Sequence, residues 1–150
     1  MNKSQDNSSD KDTKEIDQRI FEVYDSTITE AYLKFDAAAG DFMINQSTDE
    51  LFEFEKDGNL GRYIYSIKDL GAKREISIEL EEGRIISADL KNKVTIKLNP
   101  NPAWDIKVDV GAANIELDLS SFKIQKLDID GGASSIDIRL GTLQADSKIK

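Results

Sequence analysis

The chain has 150 residues, 39% of them hydrophobic, and 29 acidic side chains against 20 basic ones give a net charge of −9. It contains no cysteine and no histidine. Those absences exclude disulfides, the usual zinc sites, thiol nucleophiles and Ser-His-Asp or Cys-His catalysis. The acidic field repels phosphates, so neither nucleic acid nor an anionic membrane surface is an expected partner.

The length suits one domain with a real core. Residues 1–14 are Ser, Asn, Asp and Lys with no apolar anchor and read as a disordered tail. Met1 to Asp12 lacks the apolar stretch of a secretory leader, and no apolar run reaches the roughly 20 residues needed to span a bilayer. A cytoplasmic location and an excised piece of a longer envelope protein both fit that reading.

Ile16, Ile20 and Val23 recur at helical spacing, which predicts one short helix over Glu15–Tyr24. From Thr27 the apolar period becomes two, the mark of strands. Ala31, Leu33, Phe35 and Ala37 alternate with polar residues, and Phe42 and Ile44 resume after a small-residue turn at Ala38-Ala39-Gly40. Phe52 and Phe54, then Tyr63, Tyr65 and Ile67, then Ile76, Ile78 and Leu80 form further strand faces. A hairpin loop at Glu81–Arg84 leads to Ile86, Ala88 and Leu90, and then to Val94, Ile96 and Leu98. Asn99-Pro100-Asn101-Pro102 stops strand pairing, because proline has no N–H to donate. It divides an N-terminal β region, residues 15–98, from a repeat region, residues 99–150, within the same domain.

Beyond that boundary Ile106–Leu119 aligns without gaps on Leu127–Leu140, an offset of 21 residues (127 minus 106). A third copy lies upstream at Leu33–Ile44. Each copy is an alternating strand, a cluster of Gly, Ala and Ser, and a second alternating strand. Phe122 and Ile124 offer apolar residues for a short third side. Such units bury their faces by stacking, so the expected fold is all-β, a β-solenoid-like stack of strands. A β-sandwich with two similar hairpins is the alternative. Ile149 reads as the start of another copy, so the stack ends on an unpaired edge, a liability for edge-to-edge self-association.

The run from Leu98 through Trp104 to Ala113, then Leu117-Asp-Leu-Ser120, then Leu127 to Ser134, resembles the bacterial toast-rack domain. It is also similar to the soluble part of LiaF-like cell-wall-stress response proteins and to candidate adhesins with stacked Gly-Ala strands. The resemblance covers roughly Ile28 to the end and is strongest from Val94 to Gly141. It implies a non-enzymatic β domain of the cell envelope, often tethered behind transmembrane helices or a lipid anchor, which binds or supports an envelope component or protein. It supplies no catalytic residue and no cofactor. A sensor domain of a membrane stress-response protein and a carbohydrate-active β-helix enzyme are the other readings.

The residues themselves point mostly to structure. Gly111, Ala112, Gly131, Gly132 and Ala133 read as tight corners, and no Lys-Ser or Lys-Thr follows them to make a phosphate loop. Trp104 is expected to plug the seam between the two regions. Phe52, Phe54, Tyr63 and Tyr65 alternate strictly and are expected to pack as the inner face of two paired strands, the alternative being an aromatic sugar-binding platform; Tyr63, Tyr65 and Trp104 are the candidates for ligand contact if they prove exposed. Asp109 with Asp130, and Glu116 with Asp137, occupy equivalent repeat positions and should face one another across stacked coils. Calcium takes such oxygen ligands, but no loop here has the spacing of a calcium motif, so a solvated acidic face is expected and no metal. The pairs Glu53/Glu55 and Glu79/Glu81 alternate on strand faces, without the apolar pocket a glycosidase acid needs.

Overall fold

A computed structural model describes residues 18–58, 62–81, 92–131 and 135–141. Among them are nine strands: β1 (Gln18–Glu22), β2 (Glu30–Ser47), β3 (Phe52–Gly58), β4 (Tyr63–Leu70), β5 (Lys73–Leu80), β6 (Asn92–Leu98), β7 (Ala103–Leu119), β8 (Lys123–Gly131) and β9 (Ser135–Leu140). They form one hydrogen-bonded sheet folded into two wings.

Two strands of unusual length make the fold. β2 has 18 residues and β7 has 17, and each runs through both wings. They lie parallel in register from Glu30 opposite Ala103 to Ile44 opposite Leu117. The first half of β2 pairs with β5 on its other side, and the second half pairs with β6. β7 likewise pairs with β8 before its bend and with β9 after it. The first wing is therefore β4-β5-β2-β7-β8, and the second is β1-β3-β6-β2-β7-β9. The inner ladders are parallel. At one end of the stack the pairings β1–β3, β3–β6 and β4–β5 are antiparallel.

Alternation decides which side chains face inward. Leu33, Phe35, Phe42 and Ile44 of β2 are buried, as are Ile106, Val108, Ile115 and Leu117 of β7. The two wings close on each other over these rows. Phe35 of the first wing meets Phe42 of the second edge-on, ring centroids 4.9 Å apart, and stacks on Tyr63 at 5.6 Å. Phe54 meets Tyr63 at 5.2 Å. Offset and edge-on pairs of this kind add to the hydrophobic gain of burying the rings.

Between the halves of β2 and β7 the chain needs small residues, because stacked backbones approach there. Gly40 has φ +135°, and a Cβ on it would overlap the Asn92 carbonyl oxygen. Gly131 has φ +138°, and a Cβ there would overlap the carbonyl oxygen of Val110.

Asn99 fastens the far end of the coils. Its side-chain Nδ2 donates to the Asp49 and Glu50 carbonyls at 3.2 and 3.0 Å, and its backbone N–H donates to Leu51 at 3.0 Å. Its own carbonyl accepts from the Trp104 indole N–H at 2.8 Å. Trp104 is fully buried at this junction.

Several expectations are corrected here. Within the described part of the expected helix, residues 18–24, Gln18–Glu22 is strand β1, paired with β3; Ile20 faces the core while Val23, at helical spacing from it, is 68% exposed. Ile124 does not build a third side: it lies within β8 opposite Trp104, and Phe122 sits in the turn that donates its N–H to Leu119. Residues 99–102 lie between β6 and β7 outside any strand, yet β2, from before this segment, pairs with β7 through both wings. The loop at Glu82–Arg84, the face of Ile86, Ala88 and Leu90, and Ile149 lie outside the described residues.

Candidate functional site

The corner residues divide. Gly111 and Ala112 lie within β7 and are exposed, and φ at Gly111 is not positive. A close approach of stacked backbones falls at Val110 and Gly131. Gly132 and Ala133 lie outside the described residues.

The aromatic candidates are mostly interior. Trp104, Phe52 and Phe54 are 0% exposed and Tyr63 is 1% exposed, so none of these rings has a face to offer a ligand. Tyr65 is 43% exposed but stands without the others as a platform. The Tyr63 hydroxyl accepts from Asn92 Nδ2 at 2.8 Å, and burial pushes its pKa up to about 12. Tyr63 is thus a neutral structural donor-acceptor group at any physiological pH. The second Nδ2 hydrogen of Asn92 reaches the Ala39 carbonyl at 2.7 Å, tying β6 to the bend of β2.

The outer surface carries the charge, and stacking organises it into columns. Asp109 faces Asp130, and Glu116 faces Asp137. The first of these columns is longer than the repeat alone suggests: Asp36 faces Asp109 on one side and Glu79 on the other. Four acidic residues therefore cross the first wing in one row, Glu79, Asp36, Asp109 and Asp130. Burial and then the neighbouring Asp109 charge hold the Asp36 carboxyl above its ordinary value, with Glu79 adding to the effect and Lys34 opposing it. Asp105 is also raised, chiefly by burial, against the pull of Lys73 and Lys126.

Basic residues stand in the next row. Lys107 lies 3.6 Å from Asp128. Past the bend, Asn114 donates to Asp41 at 2.9 Å and accepts from the Ser135 hydroxyl at 3.1 Å. The face is thus a lattice of alternating signs with an acidic excess near the corner. Among the described residues no three acidic side chains converge as metal ligands.

The Glu pairs are engaged as surface residues. Glu53 accepts from the Thr48 hydroxyl, Glu55 pairs with Arg19 at 3.2 Å, and Glu81 pairs with Arg62 at 3.7 Å. An open cleft of ≈ 380 Å³ lies beside the Arg19–Glu55 pair, bordered also by Lys56, Asp57, Lys93 and Thr95. Its lining is charged rather than apolar, unlike a typical small-molecule pocket. Lys56 is 2% exposed and its Nζ donates to the Gly58 carbonyl at 3.4 Å. The sequence reading missed Lys56, and only its place in the alternation after Phe52 and Phe54 signals that it points inward.

The model of a family described as the N-terminal domain of toast_rack, DUF2154, matches residues 3–150. No sequence among curated proteins matches the chain. Among solved structures, a candidate cell adhesion protein from Clostridium sporogenes superposes with a TM-score of 0.79 at 18% identity. The match covers 91% of this chain and 66% of that one, so this chain spans just under two thirds of its length. Candidate adhesins from Parabacteroides distasonis and Bacteroides fragilis match at TM-scores of 0.40 and 0.42, with 17% and 19% identity. Those matches cover 92% and 87% of this chain, and 71% and 64% of the others. At these identities the Clostridium structure shows a shared fold.

Proposed function

Because the chain belongs to the toast-rack N-terminal domain family, we propose that it is a non-catalytic, adhesin-like binding or scaffold module of the bacterial cell envelope. The observation that carries this reading is the character of its surface. Most of its aromatic rings lie in the core, with Phe21 and Tyr65 exposed, and its polar chemistry lies in register-locked columns over the outer faces of the wings. A broad, rigid, charged face suits a macromolecular or polymeric envelope partner better than a small substrate. The fold shared with the candidate cell adhesion protein supports the same reading. No helix among the described residues is long and apolar enough to cross a membrane, so attachment to the envelope would come through another segment or a partner.

The test is direct binding of the labelled 150-residue chain to isolated cell envelopes of the source bacterium. Saturable binding that weakens with added salt is expected, since exposed charges are screened within about 10 Å at 0.1 M. Binding no greater than that of an unrelated acidic protein of the same size would contradict the proposal.

A further inference from the structure

β8 and β9 follow one another in the chain and lie side by side on β7, yet they differ in cover. The inward side chains of β8, Ile124, Leu127 and Ile129, are 2%, 0% and 8% exposed, whereas Ile136 of β9 is 50% exposed. Among the described strands β8 pairs with β7 alone. An outermost strand shows the flank of its inward row to solvent, so three buried residues in that row point to a further layer on β8.

The chain itself is led there. Gly141 stacks on the turn below, where a Cβ on it would overlap the Ser120 carbonyl oxygen. That contact keeps the offset of 21 that joins β9 to β7, one residue past Leu140 opposite Leu119 (141 minus 120). From Ser120 the chain turns through Phe122 and returns along the first wing as β8. The same turn repeated at Gly141, with Leu143 in the place of Phe122, sends residues 144–150 along β8 in the parallel direction.

The bulge in β8 sets the register. Trp104 faces Ile124 and Asp105 faces Lys126, so β7 passes over Gln125. A regular strand on the other flank passes over it too. With Ala145 opposite Ile124, Asp146 then faces Lys126, Ser147 faces Leu127, Lys148 faces Asp128, Ile149 faces Ile129 and Lys150 faces Asp130. Ala145, Ser147 and Ile149 extend the inward row. All three outward pairs join opposite charges, which is favourable directly across a strand pair. Asp128 gains a second lysine beside Lys107, which lies 3.6 Å from it. Asp130, which faces Asp109 on its other side, gains a cation at the end of the acidic row. Without the step at Gln125, Lys148 would point inward against Leu127 and Ile149 outward, and burying that charge is costly.

We propose that residues 144–150 add to β8 as a parallel strand in this register, held by the pairs Asp146–Lys126, Lys148–Asp128 and Lys150–Asp130. The proposal is independent of the envelope reading and would survive its failure.

Nuclear magnetic resonance on the isotopically labelled 150-residue chain tests it. Backbone Overhauser contacts are expected between Ser147 and Leu127 and between Ile149 and Ile129, since paired strands lie about 4.8 Å apart. The double variant Lys148→Glu with Lys150→Glu makes two of the three pairs like-charged. In low salt the amides of β8 that face the segment should then exchange about tenfold faster than in the parent chain. In 1 M salt, where screening acts within about 3 Å, the difference should shrink. The amides of β5, remote from the segment, should exchange unchanged and so report that the variant is folded. Absence of the two contacts in the parent chain would overturn the proposal. Contacts that set Lys148 opposite Leu127 would overturn it as well. So would β8 amides indifferent to the double reversal while β5 stays protected.

Discussion

Gly131 of β8 lies directly opposite Val110 of β7, with no room between them for a side chain. The φ of +138° at Gly131 adds backbone strain for any other residue. Gly131→Ala should therefore cost about 2–4 kcal/mol, the sum of a clash and an unfavourable φ. Gly71, in the turn between β4 and β5, also has positive φ, at +81°, but nothing lies within 4 Å of its absent Cβ. Gly71→Ala should cost only the conformational part, about 1–2 kcal/mol. Chemical denaturation of the two variants separates the effects. Equal losses would mean that the coils do not touch at Gly131.

The acidic column makes stability depend on pH in a defined direction. Asp36 has its carboxyl raised by burial and by Asp109, with Glu79 adding and Lys34 opposing. A carboxyl raised in the folded state is harder to ionise there than in the unfolded chain. Its ionisation therefore costs stability above the folded value. That cost is relieved as pH falls through the folded value, and it is absent below the unfolded one. Asp36→Asn should stabilise the protein at pH 7 by about 0.5 kcal/mol, the size of a screened cross-strand charge pair. The gain should vanish near pH 3. Thermal melts of both proteins across that range check the sign, and a variant less stable at neutral pH would contradict it.

Much of this was legible before any coordinates. The 21-residue offset placed Asp109 beside Asp130 and Glu116 beside Asp137, because stacking of identical units leaves no other register. The upstream copy at Leu33–Ile44 aligns Asp36 with Asp109, but it was the strand pairing that extended the column to Asp36. What escaped depends on contacts remote in sequence. β5 and β6 flank β2 although neither carries the repeat motif, so nothing in the sequence added Glu79 to the column. Gly40 is required by Asn92, 52 residues away (92 minus 40), across the β2–β6 contact. The helical spacing of Ile16, Ile20 and Val23 misled because a five-residue strand at the sheet edge buries one side chain, and one buried residue defines no period. Ile124 looked like a separate side because a bulge opposite Trp104 and Asp105 shifts the alternation within β8.

The central structural claim is that β2, from the N-terminal half, is inserted between the β5/β6 coil and the β7 coil. In a sandwich of successive hairpins, β2 would instead pair with strands adjacent in sequence. Nuclear Overhauser contacts in the isotopically labelled protein decide this most directly. Backbone contacts from Leu33 and Phe35 are expected to both Ile76–Ile78 and Ile106–Val108, in parallel register on either side. Contacts from these residues to β3 alone, or antiparallel contacts to either neighbour, would contradict the stack and the charged outer faces that follow from it.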